Sequence, residues 1–452
     1  MRPAVEIEQS GIPSVVITSS GFTILARLGA KAGGVDGLRL AEYPGTLGNH
    51  SPAVIEENVS GVLFEQVIDG LTRSTSGSTS IAASRAWDPG QIVFKGTLEE
   101  IGEFFAANEW TDGLPIIPPT AARIEKFLEY CSYPRDKQIA SLPSANLLAV
   151  PWNIAANAVM AGCKPEHMPV IIAAVEALAD ERASLNNVGS SSGLLPFLLI
   201  NGPIIKDLKL EYGGQLISKG PNTAIGRAIG LIVRNIAGFR PGKTYMGTFG
   251  YPLIFALAEN ESASPWEPFH VDQGFNRSAN TVTVGVTTNW GSSPEASSGP
   301  DNRSGAEVAL ELIAKEISSK ARAYDFPTIG PKAEHVMITV LMSPSVAKCL
   351  ADAGYSKKGI ADYLYQNARM SLRNFEWITR YTYPASMTVA EKVQAGLLPQ
   401  EFSGEPDKMV KLLAGPEIVH IVVCGDANRN RIMVLEGGHT RPTTKEIRFS
   451  DH

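Results

Sequence analysis

Three carboxylates, an imidazole and an indole fall within residues 259–270, Glu259-Asn260-Glu261-Ser262-Ala263-Ser264-Pro265-Trp266-Glu267-Pro268-Phe269-His270. Carboxylates brought beside a histidine can move protons or hold a divalent ion. Pro265 and Pro268 remove backbone donors and fix φ, so the segment is expected to be a stiff, irregular loop. If a divalent metal binds, its expected ligands are Glu259, Glu261 and His270, although the spacing matches no standard zinc signature. For acid–base work the expected pair is Glu261 or Glu267 with His270, and Trp266 would contact substrate. The plainer alternative is a solvated loop whose Glu side chains cap neighbouring helices.

Other residues could assist that chemistry. Cys163 stands before Pro165 at an expected helix start, where the dipole and free N–H groups favour a thiolate nucleophile. A small buried residue in a tight turn is the alternative, since free cysteines are usually buried. Cys424 ends a strand, a place where α/β proteins bind ligands. Asp112 lies in the proline-locked segment Trp110–Thr120 and could present its carboxylate to substrate, or simply form a turn. Arg227 is expected in the first turn of an apolar helix, where a cation opposes the dipole. That placement suggests pairing with a carboxylate of substrate or protein. Asn157 and Asn201 are candidate orienting donors. Ala237 to Thr244 fits a relaxed phosphate-loop pattern, but a helix precedes it and no helix is expected after it, so no nucleotide cofactor is expected. No serine-hydrolase elbow or Rossmann fingerprint is present.

These candidates need a sizeable scaffold. The chain has 452 residues, 44% hydrophobic and 19% charged, enough for two or three domains with ordinary globular cores. The net charge of −6 offers no basic stripe for nucleic acid or anionic lipid. The opening residues lack the apolar core of a signal peptide, and no apolar run reaches membrane-spanning length. Cys131, Cys163, Cys349 and Cys424 form no CxxC pair, which favours reduced thiols in a cytoplasmic protein.

Apolar patterning gives an α/β rhythm. Residues 3–10 read as a helix, Ser14–Thr18 as a buried strand, Gly21–Ala30 as a helix, Leu38–Tyr43 as a strand and Pro52–Leu71 as a long helix. Arg73–Ser80 reads as linker. A capping box at Thr97–Glu100 opens a helix to about Asn108, and Thr120 is placed to cap another. Helices are expected at 155–160, 165–178, 223–236 and 301–319, with strands at Phe197–Ile200 and Thr281–Val286. After these come a strand at His335–Val340, helices at 345–353 and 357–370, a strand at Ile418–Val423 and a hairpin-like tail over 431–449.

The strings Val5–Pro13, Glu42-Tyr43-Pro44, Trp110–Thr120, Asn157–Glu166, Asn201-Gly202-Pro203 and Ile225–Ala228, with the 259–270 loop, resemble those of UGSC-type proteins. These are distant relatives of the selenoprotein B subunits of glycine and proline reductase. The resemblance covers residues 4–71, which look like the small UGSC domain after its first strand, and 109–274, which look like the larger domain that accompanies it. With the patterning above, the expected organisation is a small truncated parallel α/β domain over 1–72, a linker over 73–95, a larger mixed α/β catalytic domain over 96–330 and a C-terminal α/β segment, 331–452, packed on it. The family's selenocysteine- or cysteine-Gly-Ser-Cys loop should precede the helix at Ala4, where this chain starts. A second subunit, or a strand such as 418–423, is then expected to complete the small sheet.

The expectation is a lyase- or hydrolase-type enzyme that cleaves or eliminates a polar bond in a small acidic substrate, by acid–base or metal-assisted chemistry. It would act as a homo-oligomer or with a partner subunit, with no nucleic acid or membrane involved. A thiol-dependent oxidoreductase and a non-catalytic subunit of a reductase-like complex are the alternatives.

Overall fold

A computed structural model of the chain describes residues 2–35, 37–73, 91–143, 145–190, 193–248, 250, 254–287, 290–297, 302–320, 337–381, 387–437 and 441–450. Most of the expected linker, and His335-Val336 at the start of one expected strand, lie outside the described residues.

The N-terminal part runs α1 (Arg2–Gln9), β1 (Val15–Ser19), α2 (Thr23–Ala32), β2 (Arg39–Tyr43), α3 (Pro52–Asn58) and α4 (Phe64–Thr72). β1 and β2 are parallel, with Val15 opposite Arg39 and Ser19 opposite Tyr43. The single helix expected over 52–71 is interrupted by a π turn at Val59–Leu63. β1 is less buried than its β-branched sequence suggests, because Ile17 is 55% exposed. Among the described residues no third strand joins this sheet. Residues 419–423 do not complete it. Their side chains are almost all buried, and they pair instead inside a separate C-terminal sheet.

The middle of the chain begins with α5 (Leu98–Ala107), opened by the expected reciprocal capping box of Thr97 and Glu100. Thr120 does precede α6 (Ala121–Leu128), but its hydroxyl caps nothing. A short antiparallel ribbon, β3 (Ala140–Leu142) with β4 (Leu147–Ala149), leads to α7 (Pro151–Met160) and α8 (Met168–Leu178). Next come β5 (Leu195–Asn201), α9 (Ile204–Asp207), α10 (Pro221–Asn235), β6 (Phe255–Ala258), α11 (Phe269–Asp272), β7 (Thr281–Thr287) and α12 (Gly305–Ser319). Every residue of β5, β6 and β7 is buried, which explains why these strands read as continuous apolar runs. α10 lies close on β6. A Cβ at Gly226 would stand 2.2 Å from the Ile254 carbonyl oxygen, so this position needs glycine.

The last part contributes β8 (Ile338–Met342), β9 (Arg369–Ser371), β10 (Met409–Lys411), β11 (Val419–Val423), β12 (Ile432–Glu436) and β13 (Thr443–Glu446). The expected hairpin over 431–449 does not form. β12 pairs with β8 in the sheet β11-β8-β12, whereas β13 pairs with β7 in the sheet β13-β7-β5-β6. Both central strands offer a ladder edge inside a core, which a two-stranded tail would forgo.

This topology sets two parallel pairs side by side. β5 runs parallel to β6, and β8 parallel to β11. The Asn260 N–H, just past β6, donates to the Val423 carbonyl at the end of β11, 2.8 Å away. The carboxyl ends of parallel strands, where α/β sheets place their ligands, therefore meet at Asn201, Glu259 and Cys424.

Candidate active site

The loop after β6 is irregular, as its prolines require, until Pro268 leads into the one-turn helix α11 that carries Phe269 and His270. Glu259 is 1% exposed and sits directly past β6. One carboxylate oxygen, Oε2, accepts from Asn201 Nδ2 at 2.5 Å and from the Phe269 N–H at 2.8 Å. The other, Oε1, is buried without a hydrogen-bond partner. Burial pushes the Glu259 carboxyl up from 4.5 to about 7, and the negative charge of Glu261 adds to the rise. Lys357, the Phe269 N–H and Asn201 oppose it without reversing it.

Glu261 is held by backbone and amide donors. Its Oε1 accepts from the Gly202 N–H at 2.7 Å and from Asn201 Nδ2 at 3.1 Å, and it faces His270 Nδ1 at 3.8 Å. His270 is fully buried, with Nε2 3.3 Å from the Arg277 carbonyl oxygen. A carbonyl only accepts, so Nε2 carries a proton, and Nδ1 is the ring nitrogen turned towards the Glu261 carboxylate. Asn201, a candidate orienting donor, closes β5 and bridges both carboxylates. Gly202 turns the chain tightly at φ 97°, where a Cβ would stand 2.3 Å from the Ala279 carbonyl. Together Glu259 and Glu261 line a cavity of about 360 Å³ with Gly202, Lys206, Tyr212 and Arg277.

Several expected site residues lie elsewhere. Glu267 is exposed and paired with Arg277 at the cavity's rim, so it does not share the interior with Glu261 and His270. Trp266 is a structural pin: its indole N–H donates to the Tyr355 carbonyl at 3.0 Å and its ring packs on the C-terminal core. Arg227 and Asp112 pair with each other. Two 2.9 Å hydrogen bonds join guanidinium to carboxylate, and Arg227 Nη2 also donates to the Pro115 carbonyl at 2.9 Å. Because α10 starts at Pro221, Arg227 lies in its second turn, not its first. The pair locks the Trp110–Thr120 segment to α10. Burial tends to raise the Asp112 carboxyl, but the Arg227 hydrogen bond and charge outweigh it and hold the group below its ordinary value. Asn157 is likewise internal, donating to the Asn153 carbonyl and accepting from Asn235 Nδ2 at 2.8 Å.

Cys163 departs furthest from expectation. It follows the carboxyl end of α7, donating its N–H to the Ala158 carbonyl, and is buried. Burial pushes its thiol far above the ordinary range, with Arg227 offsetting only part of the rise, so the thiolate is disfavoured where a nucleophile would need it. Cys424 is pushed up to about 12 by burial and by the charge of Glu259. A thiol reagent is therefore expected to modify half-buried Cys131 and Cys349 in the native protein. Cys163 and Cys424 should react only after unfolding. Peptide mapping by mass spectrometry checks this, and native labelling of Cys163 would restore the thiol mechanism.

The metal expectation was Glu259, Glu261 and His270. Among the described residues no group of three or more His, Cys, Asp and Glu side chains is arranged to hold a metal ion. Glu261 has one oxygen committed to Asn201 and Gly202, so the three side chains do not form a ligand set. Sequence reading also missed participants. Lys206 stands on α9, directly after the Asn201-Gly202-Pro203 string that hinted at a turn. Lys357, whose charge acts on Glu259, comes from a helix far along the chain and left no sequence signal.

The N-terminal part has a parallel β–α–β layer, with Glu42 and Tyr43 at the end of β2, as the apolar pattern over Leu38–Tyr43 predicts. Residues 1–73 match the model of the UGSC family. This part of the chain is of UGSC type. No curated protein and no solved structure matches the chain. The Glu259 cavity lies outside the matched residues, so its chemistry follows from its own geometry. Among the described residues no helix is long and apolar enough to cross a membrane.

Proposed function

We propose that the chain is a lyase- or hydrolase-type enzyme that cleaves or eliminates a polar bond in a small acidic substrate by acid–base catalysis. The observation that carries this reading is Glu259: a fully buried carboxyl, raised to about 7, with one oxygen unpaired at the floor of a cavity. A group balanced between its protonated and ionised forms near neutral pH can deliver a proton in one step and recover it in the next. Glu261, fixed by Asn201 and the Gly202 N–H and facing His270 Nδ1, is the second acid–base group. Arg277 and exposed Lys206 give the cavity's mouth positive charge for a substrate carboxylate.

The test is turnover of a panel of small carboxylate-bearing compounds, followed across pH with wild-type protein and the Glu259→Gln variant. The reading expects a limb of the pH profile near 7 that is absent from the variant. A profile flat through that region would remove Glu259 from the chemistry.

Association with a second copy is proposed alongside. Exposed apolar residues form one stripe along α4, Phe64, Ile68 and Leu71, on one face of the open two-stranded sheet. Contiguous apolar surface of this kind marks interaction faces. Analytical ultracentrifugation should give at least a dimer, shifted towards monomer by Phe64→Glu. A monomer at all concentrations would refute the association.

A further inference from the structure

Glu259 lines the cavity with one carboxylate oxygen, Oε1, buried and without a donor, on a side chain 1% exposed. Behind it Asn201 Oδ1 is a second buried acceptor without a partner, and Glu261 adds a second carboxylate to the lining. Asn201's orientation is fixed by chemistry, because its amide nitrogen faces two carboxylates and must be the end that donates. The donors that hold the two carboxylates are committed: Asn201 Nδ2 to Glu259 and Glu261, and the Gly202 and Phe269 N–H groups to the same carboxylates, while the charged Lys206 is exposed among the lining residues.

An acceptor buried without a donor is costly, so a ligand that supplies one recovers that cost on binding. A carboxylate or phosphate would add acceptors against acceptors. A metal ion finds no three-ligand set among the described residues. The complementary group is one that only donates and carries positive charge, which describes an ammonium.

We propose that the cavity takes its ligand amine-first, seating a protonated amine against Glu259 Oε1, with the ligand's anionic part left at Lys206 and Arg277. This rests on the reading of the cavity as the active site and narrows its substrate class to small compounds bearing both an amine and an acidic group. Glu259 and Glu261 supply the negative charge, and Asn201 holds both carboxylates in place.

The test uses methylammonium as the probe, with tetramethylammonium and acetate as controls at matched ionic strength. Thermal shift and NMR titration follow binding. Methylammonium should stabilise wild-type protein saturably, whereas tetramethylammonium, which has no N–H, should not. Glu259→Gln should weaken methylammonium by about tenfold or more, as expected for the loss of a charge-assisted hydrogen bond. Glu261→Gln provides a second variant should the first fold poorly. Equal response to tetramethylammonium, preferential stabilisation by acetate, or methylammonium binding unchanged in both variants would overturn the proposal, as would the absence of saturable binding. Failed amine binding with turnover still dependent on Glu259 would remove this inference alone. Amine binding with turnover independent of Glu259 would remove only the catalytic reading.

Discussion

Glu259→Gln is expected to lower turnover by about 10²–10⁴-fold, the usual contribution of a positioned acid–base group. Gln keeps the side chain's shape and can still accept from Asn201 and the Phe269 N–H, but it can neither give up nor take a proton. The same substitution should flatten part of the protein's pH–stability curve. The Glu259 carboxyl is raised from 4.5 to about 7 on folding, so the folded state binds its proton more tightly than the unfolded state does. The associated stability is fully present below pH 4.5 and is lost as pH rises through 7. The rise is worth roughly 3 kcal/mol at alkaline pH. Glu259→Gln therefore gains on wild type above pH 7, while the gap narrows towards pH 4. Urea denaturation across pH measures this, and parallel curves for the two proteins would show that Glu259 is not held neutral.

Arg227→Ala should act on stability rather than on substrate binding. It removes both hydrogen bonds to Asp112 and the one to the Pro115 carbonyl, leaving a carboxylate in a largely buried setting. Breaking a buried pair from one side typically costs about 3 kcal/mol or more. The sign of the pH dependence is opposite to that of Glu259. Asp112 is held below its ordinary 3.8 in the folded protein, so its stabilising contribution is present above that value and lost as pH falls through the folded one. The difference between wild type and Arg227→Ala should shrink on acidification. A raised KM with an unchanged urea midpoint would instead return Arg227 to the role of substrate ligand.

These two sites show how far side-chain type and spacing carry. Glu259, Glu261 and His270 were legible because three ionisable groups shared one proline-stiffened loop, and Asn201 because it sat in a strand–turn string. Glu267 and Trp266 had the same local credentials. What separates them is direction: between Ser262 and Pro268 the loop turns its side chains towards the C-terminal core and solvent before α11 returns His270 to the site, and no local pattern encodes that. Cys163 failed for a similar reason. The helix start its context suggested does follow at Pro165, but packing behind the end of α7 buries the thiol and raises its pKa.

The sequence by itself determined much of the local structure. Capping residues, glycine and proline punctuation and apolar period act within a few residues, so the parallel layer of 1–73, the capping box at Thr97 and the buried strands β5, β7 and β11 could be read directly. The tertiary structure alone decided strand pairing and charge. β11 and β12 joined β8, and β13 joined β7, because distant edges competed for the same ladders. The carboxyl of Glu259 is pushed up to about 7 because β5, β6 and the 259–270 loop together shut water away from it. Long-range burial sets both outcomes, and it depends on which segments meet, not on what any one of them contains.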